Sequence, residues 1–297
     1  MLLNSTSLTT LYTGFKAAFQ EGFSGVQPQW NKIAMEVPST TAKEEYGWLK
    51  DLPRIREWLG DRVAHQLAAG AYAIRNKDWE FTVSVDRNAI EDDNLGIFAP
   101  MFRMIGNQSA THPDELVWPL LKAGFTTTCY DGQYFFDTDH PVLDANGQIT
   151  SVSNSGGGAG APWYLLCTSR PIKPLIYQNR KPFQFVRMDA QTDEVVFNRK
   201  EYRYGVDGRS NVGYGFWQLA YGSKQDLTAD NYAAARAAML AFTGDGGRPL
   251  GVTPELLVVP PSLEGKARKI LVNDRNDAGA TNEWAGTATP LVVPWLA

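Results

Sequence analysis

Between residues 78 and 85, apolar and polar side chains alternate strictly, and no other pattern constrains the fold as much. The apolar members are Trp79, Phe81, Val83 and Val85. Alternation with a period of two places the two sets on opposite faces of a β-strand, which predicts a sheet with one dry and one wet face. We interpret residues 46–85 as a two-limbed excursion in which this strand is the returning limb.

The segment before the excursion predicts an amphipathic helix. Leu11, Phe15 and Phe19 recur at four-residue spacing, which places them on one stripe, and Thr9 or Thr10 can cap the helix. Such a stripe has to be buried, either on the helix's own domain or on a neighbouring subunit.

Helical spacing returns after the excursion, beginning near Phe98. Pro113 is suited to start a second helical piece, because a first helical residue needs no amide hydrogen. We interpret the two pieces as one long, broken helix. Residues 163–224 are predicted to be mainly strands, with a hairpin turn at Asp207 and Gly208. The remainder of the chain alternates helix and strand.

The composition indicates a folded protein and excludes several functional classes. The chain has 297 residues, 43% hydrophobic and 20% charged, which is typical of a globular fold with one large or two linked domains. A net charge of -4 without runs of lysine or arginine argues against tight wrapping of nucleic acid. Two cysteines do not suggest a disulfide scaffold. No apolar stretch approaches the roughly 20 residues that span a bilayer, and no signal pattern is evident, so we expect a cytoplasmic product.

The strongest candidate for chemistry is the group Asp137, Asp139 and His140. Carboxylates beside an imidazole can hold a divalent cation, as a metal-dependent hydrolase would require. The alternative is that the two aspartates cap a turn before Pro141. The glycine-rich residues 244–248 are interpreted as a helix end and not as a phosphate loop. No complete catalytic constellation emerges.

A set of longer stretches runs through most of the chain. They are NKIAMEVPSTTAKEEYGWL (31–49), LPRIREWLGDR (52–62), NKDWEFTVSVDRNAIEDDNLGIFAP (76–100), PDEL (113–116), CYDGQYFFDTDHP (129–141), GYGFWQLA (213–220) and GDGGRPLGVTPELLVVPPSLE (244–264). Taken together, these stretches resemble the major head subunit family of Mu-like phages and prophages, the gpT type. The resemblance follows the chain in order, which makes it more specific than any single motif.

The resemblance implies an α+β chain with the HK97-like fold of tailed-phage major capsid proteins. Residues 1–45 would then form an N-terminal arm, and residues 46–85 the extended two-stranded loop. Residues 86–225 would form mainly the peripheral domain with its spine helix, although part of them can be axial. Residues 226–297 would belong mainly to the axial domain.

The resemblance also implies a structural function: a major capsid protein, not an enzyme, with no cofactor, metal or catalytic residue. Such a chain would self-assemble as hexamers and pentamers into an icosahedral shell around a double-stranded DNA genome. Further expected partners are a portal, a decoration protein and the packaged DNA, touched non-specifically. Scaffold and maturation protease are expected to be separate proteins, because the chain begins directly with the arm. Assembly would occur in the host bacterial cytoplasm and the product would reside in the virion. An encapsulin-like compartment is the alternative on the same fold, distinguished by its cargo.

Aromatic side chains are the candidates for contacts between subunits. An isolated hairpin is marginally stable in water, and buried aromatics dominate many interfaces, so we expect the excursion to lie on a neighbour. The candidates are Phe15, Phe19, Trp48, Trp58, Trp79 and Phe81. For Trp79, the alternative is burial within its own subunit.

Overall fold

The computed structural model describes residues 5–50, 72–92, 97–276 and 278–297, with only the backbone of Ser5, Trp48 and Lys50. The α-helices are α1 (Ser5–Ser24), α2 (Arg87–Glu91), α3 (Phe98–Ala123), α4 (Glu194–Arg199), α5 (Ala229–Leu240) and α6 (Glu264–Leu271). The strands before residue 160 are β1 (Ala34–Pro38), β2 (Lys43–Glu45), β3 (Ala73–Arg75), β4 (Lys77–Asp86), β5 (His140–Leu143), β6 (Ile149–Val152) and β7 (Ser155–Gly158). The later strands are β8 (Trp163–Leu166), β9 (Leu175–Met188), β10 (Glu201–Tyr214), β11 (Ala220–Lys224), β12 (Thr243–Gly244), β13 (Arg248–Pro249), β14 (Leu256–Val259) and β15 (Thr289–Val292).

A four-stranded sheet of order β1-β9-β10-β4 carries the smaller of two hydrophobic cores. Helices α1 and α3 lie on it, and the predicted stripe on α1 faces inward. Phe15 stacks on Phe102 with ring centroids 4.3 Å apart, and Phe19 stacks on Phe185 at 5.4 Å. The amphipathic helix predicted from the sequence is therefore confirmed, and its apolar stripe is buried on its own domain.

A five-stranded sheet of order β15-β14-β8-β11-β7 carries the larger core. Its central strands β8 and β14 are buried along their whole length, as strands covered on both faces must be. Helices α5 and α6 contribute Tyr232, Met239 and Ile270 to this core. Thr228 caps α5, because its hydroxyl oxygen accepts a hydrogen bond from the Asn231 amide.

Helix α3 enters both cores. Phe102 and Ile105 in its first half belong to the smaller core, while Trp118 and Leu121 in its second half belong to the larger. The helix is continuous over 26 residues, with Pro113 and Pro119 inside it, so the predicted break and second start at Pro113 are wrong. Packing on both sides outweighs the hydrogen bond that each proline removes.

The strand predicted from the alternating pattern is confirmed as β4, and the strand with which it pairs lies far away in the sequence. It pairs antiparallel with β10 in an unbroken register from Lys77 opposite Ser210 to Asp86 opposite Glu201. The excursion closes at a short antiparallel pair, β2 with β3. Residues 51–71 of the excursion lie outside the described residues.

Two local predictions are corrected by the structure. Asp207 and Gly208 do not form a hairpin turn, because they lie inside β10, which is bonded to β9 on one side and β4 on the other. The irregularity at this point is a register shift against β9, a common role for glycine in a strand. Thr9 and Thr10 lie within α1 and do not cap it; the Thr10 hydroxyl donates to the Thr6 carbonyl instead.

Helices α1 and α3 touch backbone to backbone at two glycines. A Cβ atom on Gly22 would overlap the Arg103 carbonyl, and one on Gly106 would overlap the Phe19 carbonyl. Arg103 adds an exposed ion pair to Glu21, at 2.8 Å. The absence of side chains at these two positions thus sets the distance between the helices.

Replacing Gly106 by alanine should separate the two helices and destabilise the subunit by about 1–3 kcal/mol, as overpacking typically does. Gly14→Ala is the matched control, because Gly14 lies in α1 and a methyl group there would have no atom within 4 Å. That control should gain up to about 1 kcal/mol from helix propensity. Urea unfolding of the unassembled subunit measures both. Equal midpoints for the two variants would contradict the close contact.

Candidate subunit-contact surface

An apolar groove of about 400 Å³ opens between β4 and the first half of α3. We call it the β4–α3 groove. It is lined by Trp79, Glu80, Phe81, Val83, Met101, Met104, Ile105, Gln108, Ser109, His112, Phe183 and Val206. Most of these side chains are apolar, so water in the groove finds few hydrogen-bonding partners. Groove surfaces of this composition are typical of binding sites.

The groove follows directly from two sequence periods. The alternating residues of β4 present Trp79, Phe81 and Val83 on one face, while Met101, Met104 and Ile105 recur at helical spacing on α3. The two apolar faces meet without covering each other. Phe81 remains 54% exposed and Met104 70% exposed, which is unusual for neighbouring large apolar side chains.

Trp79 and His112 form the inner wall of the groove. The Trp79 indole donates a hydrogen bond to the Ser210 carbonyl at 3.1 Å, and its ring meets the His112 imidazole edge to face at 4.5 Å. On its other side, His112 contacts the Phe183 ring. Trp79 is thus held within its own subunit but only half-buried there. Burial in its own subunit and contact with a neighbouring subunit were the two alternatives for Trp79, and this position is compatible with both.

The His112 imidazole is a partly buried polar group in this apolar wall. Its Nδ1 lies 3.4 Å from a Glu115 carboxylate oxygen, and its Nε2 is buried with no hydrogen-bond partner among the described atoms. Burial lowers the pKa of His112, and the nearby Glu115 offsets only part of that effect. The neutral form is therefore favoured, since a charged imidazole would lack solvation.

The other predicted contact residues are placed differently. Phe15 and Phe19 are each only 4% exposed in the smaller core, so they offer almost no surface to another subunit. Trp48 contributes backbone to the 3-10 turn Gly47–Lys50, and its side chain lies outside what the structure describes. Trp58 also lies outside the described residues.

The group Asp137, Asp139 and His140 does not converge on one point. Asp137 accepts hydrogen bonds from the Tyr134 and Thr138 amides, as a turn-capping residue does. The His140 imidazole points away from this turn, toward Asp131 at 2.7 Å. Within the described ranges, the side chains positioned to share one ion include neither Asp137 nor Asp139. The geometry required by the hydrolase alternative is not formed.

Comparison with known proteins decides the family. The family model described as "Mu-like prophage major head subunit gpT" matches residues 8–296. The chain belongs to this Mu-like major head subunit family. It is 42% identical to the "Major capsid protein" of Escherichia phage Mu, over 100% of both chains. It is 45% identical to the "Mu-like prophage FluMu major head subunit" of Haemophilus influenzae, over 88% of this chain and 87% of the relative.

Solved capsids share the fold of this Mu-like head subunit. The procapsid chain of bacteriophage JBD30 superposes with a TM-score of 0.86 and 45% identity, over 99% of this chain and 100% of the other. The JBD30 capsid gives a TM-score of 0.78 and 32% identity, over 100% of both. The α+β, HK97-like capsid fold predicted from the sequence is confirmed.

The function follows from family and fold together. The chain is the major capsid protein of a Mu-like phage or prophage, a structural subunit of the virion and not an enzyme. It assembles with copies of itself into a shell. The compartment and hydrolase alternatives are not favoured. Among the described helices, none is long and apolar enough to cross a bilayer.

The lowered pKa of His112 predicts a pH effect on subunit stability. Below about pH 6.5 the unfolded chain takes up a proton that the folded His112 resists, so the free energy of unfolding should fall as the pH falls. His112→Gln lacks this titration, and its stability should change less between about pH 8 and about pH 5.5. Urea unfolding of both subunits across that range measures the difference. Parallel curves would show that His112 titrates normally in the groove.

Proposed function

We propose that this major capsid protein forms hexamers and pentamers that close into an icosahedral shell around double-stranded DNA. Support comes from the family, the whole-chain similarity to the JBD30 capsid subunits, and the uncovered apolar surface of the single subunit. Of the expected domain boundaries, those at residues 45 and 225 are kept in this proposal. The end of the excursion is moved from residue 85 to β3, because β4 pairs with β10 in the four-stranded sheet and the excursion closes at the β2–β3 pair.

The β4–α3 groove carries the proposed contact between subunits, and its occupant is the excursion of a second copy. Residues 51–71 include apolar side chains such as Leu52, Ile55 and Trp58, which match a groove with few polar partners. Head-to-tail contacts of this kind are not self-complementary, and their repetition generates closed rings when the rotation between subunits closes. Burying Phe81 in such a contact would remove the most exposed aromatic of β4 from water.

Phe81→Ser tests this contact more cleanly than Trp79→Ala, because Trp79 also packs within its own subunit. The variant should fold normally but yield fewer or less heat-stable shells, with a loss of about 2 kcal/mol or more at each contact, as for interface hot spots. Thr82→Ala is the matched control, since Thr82 lies on the same strand with its side chain on the opposite face. Electron microscopy and thermal disruption of shells measure the outcome. Shells of wild-type yield and stability from Phe81→Ser would remove the groove from the interface.

We infer that scaffold, maturation protease and portal are separate partners of this chain. A minor capsid protein decorates the JBD30 capsid as trimers, and a decoration protein is proposed here by that similarity. Assembly in the bacterial cytoplasm is part of the same proposal. Expression of this chain alone, and together with a scaffold protein of a Mu-like phage, tests the need for a separate scaffold. Uniform, closed shells should require the scaffold, and uniform shells from this chain alone would argue against a separate scaffold.

Contact with the packaged DNA is proposed to be weak and non-specific. The net charge of -4 offers little counterion release, which drives most non-specific DNA binding. The purified subunit should therefore cause no shift of double-stranded DNA in electrophoresis at about 0.15 M salt, where surface charges are screened. A clear shift under those conditions would indicate a basic surface that the charge balance does not predict.

A further inference from the structure

A buried cluster of three different metal-ligating side chains lies away from the β4–α3 groove. The Cys129 sulfur, an Asp131 carboxylate oxygen and a His140 ring nitrogen all lie within 4.8 Å of one another. His140 is fully buried, Cys129 is 6% exposed, and the Asp131 side chain is 10% exposed. We call these three residues the Cys129 cluster.

A tight turn fixes two of the three side chains. The Gly132 amide donates to the Cys129 carbonyl, and the Cys129 amide donates to the Gln133 carbonyl. Gly132 has a φ of 92°, which a residue with a side chain rarely adopts. The turn therefore holds the sulfur and the carboxylate on the same side, two residues apart, as a chelating pair requires.

Asn154 fixes the orientation and tautomer of His140. Its side-chain amide nitrogen lies within hydrogen-bond distance of the Phe135, Trp217 and Ala220 carbonyls, so its oxygen must face the histidine. That oxygen lies 3.1 Å from Nε2 of His140, which must therefore carry a hydrogen. Nδ1 is left directed at Asp131, at 2.7 Å. Metal-ligating histidines are typically oriented in this way by a second acceptor.

Protons now occupy the position that a cation would take. A carboxylate and a bare Nδ1 lone pair cannot approach to 2.7 Å without a proton between them. A second proton lies on the Cys129 sulfur, which donates to Asp131 at 3.1 Å. Whichever of Nδ1 and the carboxylate holds the shared proton, the three side chains with these two protons sum to zero charge.

We propose that the Cys129 cluster is a binding site for a zinc-like divalent cation, which replaces these two protons. Thiolate, carboxylate, neutral imidazole and a divalent cation also sum to zero, so the exchange leaves no uncompensated buried charge. A mixed sulfur, nitrogen and oxygen set selects zinc over magnesium or calcium. The ion would tie the turn at Cys129 to β5, which begins at His140, and so brace the larger core.

Metal content of the purified chain, expressed and refolded with Zn²⁺, tests the proposal. The expected result is one equivalent of bound Zn²⁺ per chain, with release of about two protons on binding. Cys129→Ser should lose the ion. Cys167→Ser is the matched control, because Cys167 is also buried but belongs to no group of three metal-ligating side chains in the described part of the chain. This control should keep the ion.

A spectroscopic measurement on cobalt-loaded protein tests the metal site even if Cys129→Ser fails to fold. Wild-type chain refolded with Co²⁺ should show a thiolate-to-cobalt charge-transfer band, and Cys167→Ser should show the same band. Absence of the band, or absence of Zn²⁺ above the level found in a metal-free refold, would overturn the proposal. Those results would mean that the Cys129 cluster is a hydrogen-bonded network that binds no metal ion.

Discussion

The shared membership of α3 in two hydrophobic cores is the constraint on which the rest of the subunit depends. Its first half holds the smaller core together with α1, and its second half is buried in the larger core. Asp114, between these halves, is buried and accepts hydrogen bonds from the Gln29 and Trp30 amides and from the Trp118 indole. Burial raises the pKa of Asp114 despite these donors. The helix thereby fixes the two sheets relative to each other.

The same helix explains why a well-packed subunit retains an uncovered apolar surface. One face of α3 is occupied by α1 at the glycine contact, and another lies on the sheet. The remaining face of α3, around Met101 and Met104, lies beside the apolar face of β4 but does not cover it, and the β4–α3 groove is left between them. A single chain that buried this surface would have less apolar area to offer a neighbour. For a capsid protein, an incomplete core is therefore consistent with its function.

Local patterns in the sequence predict elements well, and distant partners poorly. The alternation in β4 and the stripe on α1 are readable because burial has a fixed period in each element. The pairing of β4 with β10 is not readable, since more than a hundred residues separate the two strands. The same limit explains the error at Asp207 and Gly208, whose turn propensity is overridden by strands bonded on both sides. The break expected at Pro113 fails for a related reason, because tertiary packing maintains a helix that propensity alone would end.

The same limit applies to the candidate sites: the sequence indicates which residues lie on one element, but not which residues of other elements they contact. The strand pattern places Phe81 on the apolar face of β4, but it cannot reveal the neighbours of Phe81 on α3. The sequence groups His140 with its neighbours Asp137 and Asp139. The actual partners of His140 are Asp131, in a turn before it, and Asn154, in the link between β6 and β7. Only the folded chain brings these groups together.

The prolines inside α3 have a mechanical consequence. The two halves of α3 lie in different cores, so a force that pulls the cores apart along the helix axis is carried by the hydrogen bonds of the helix. Pro113 and Pro119 each lack an amide hydrogen, so the turns preceding them have fewer bonds to resist extension. Tension along the helix axis would therefore be resisted least in the turns that precede the two prolines.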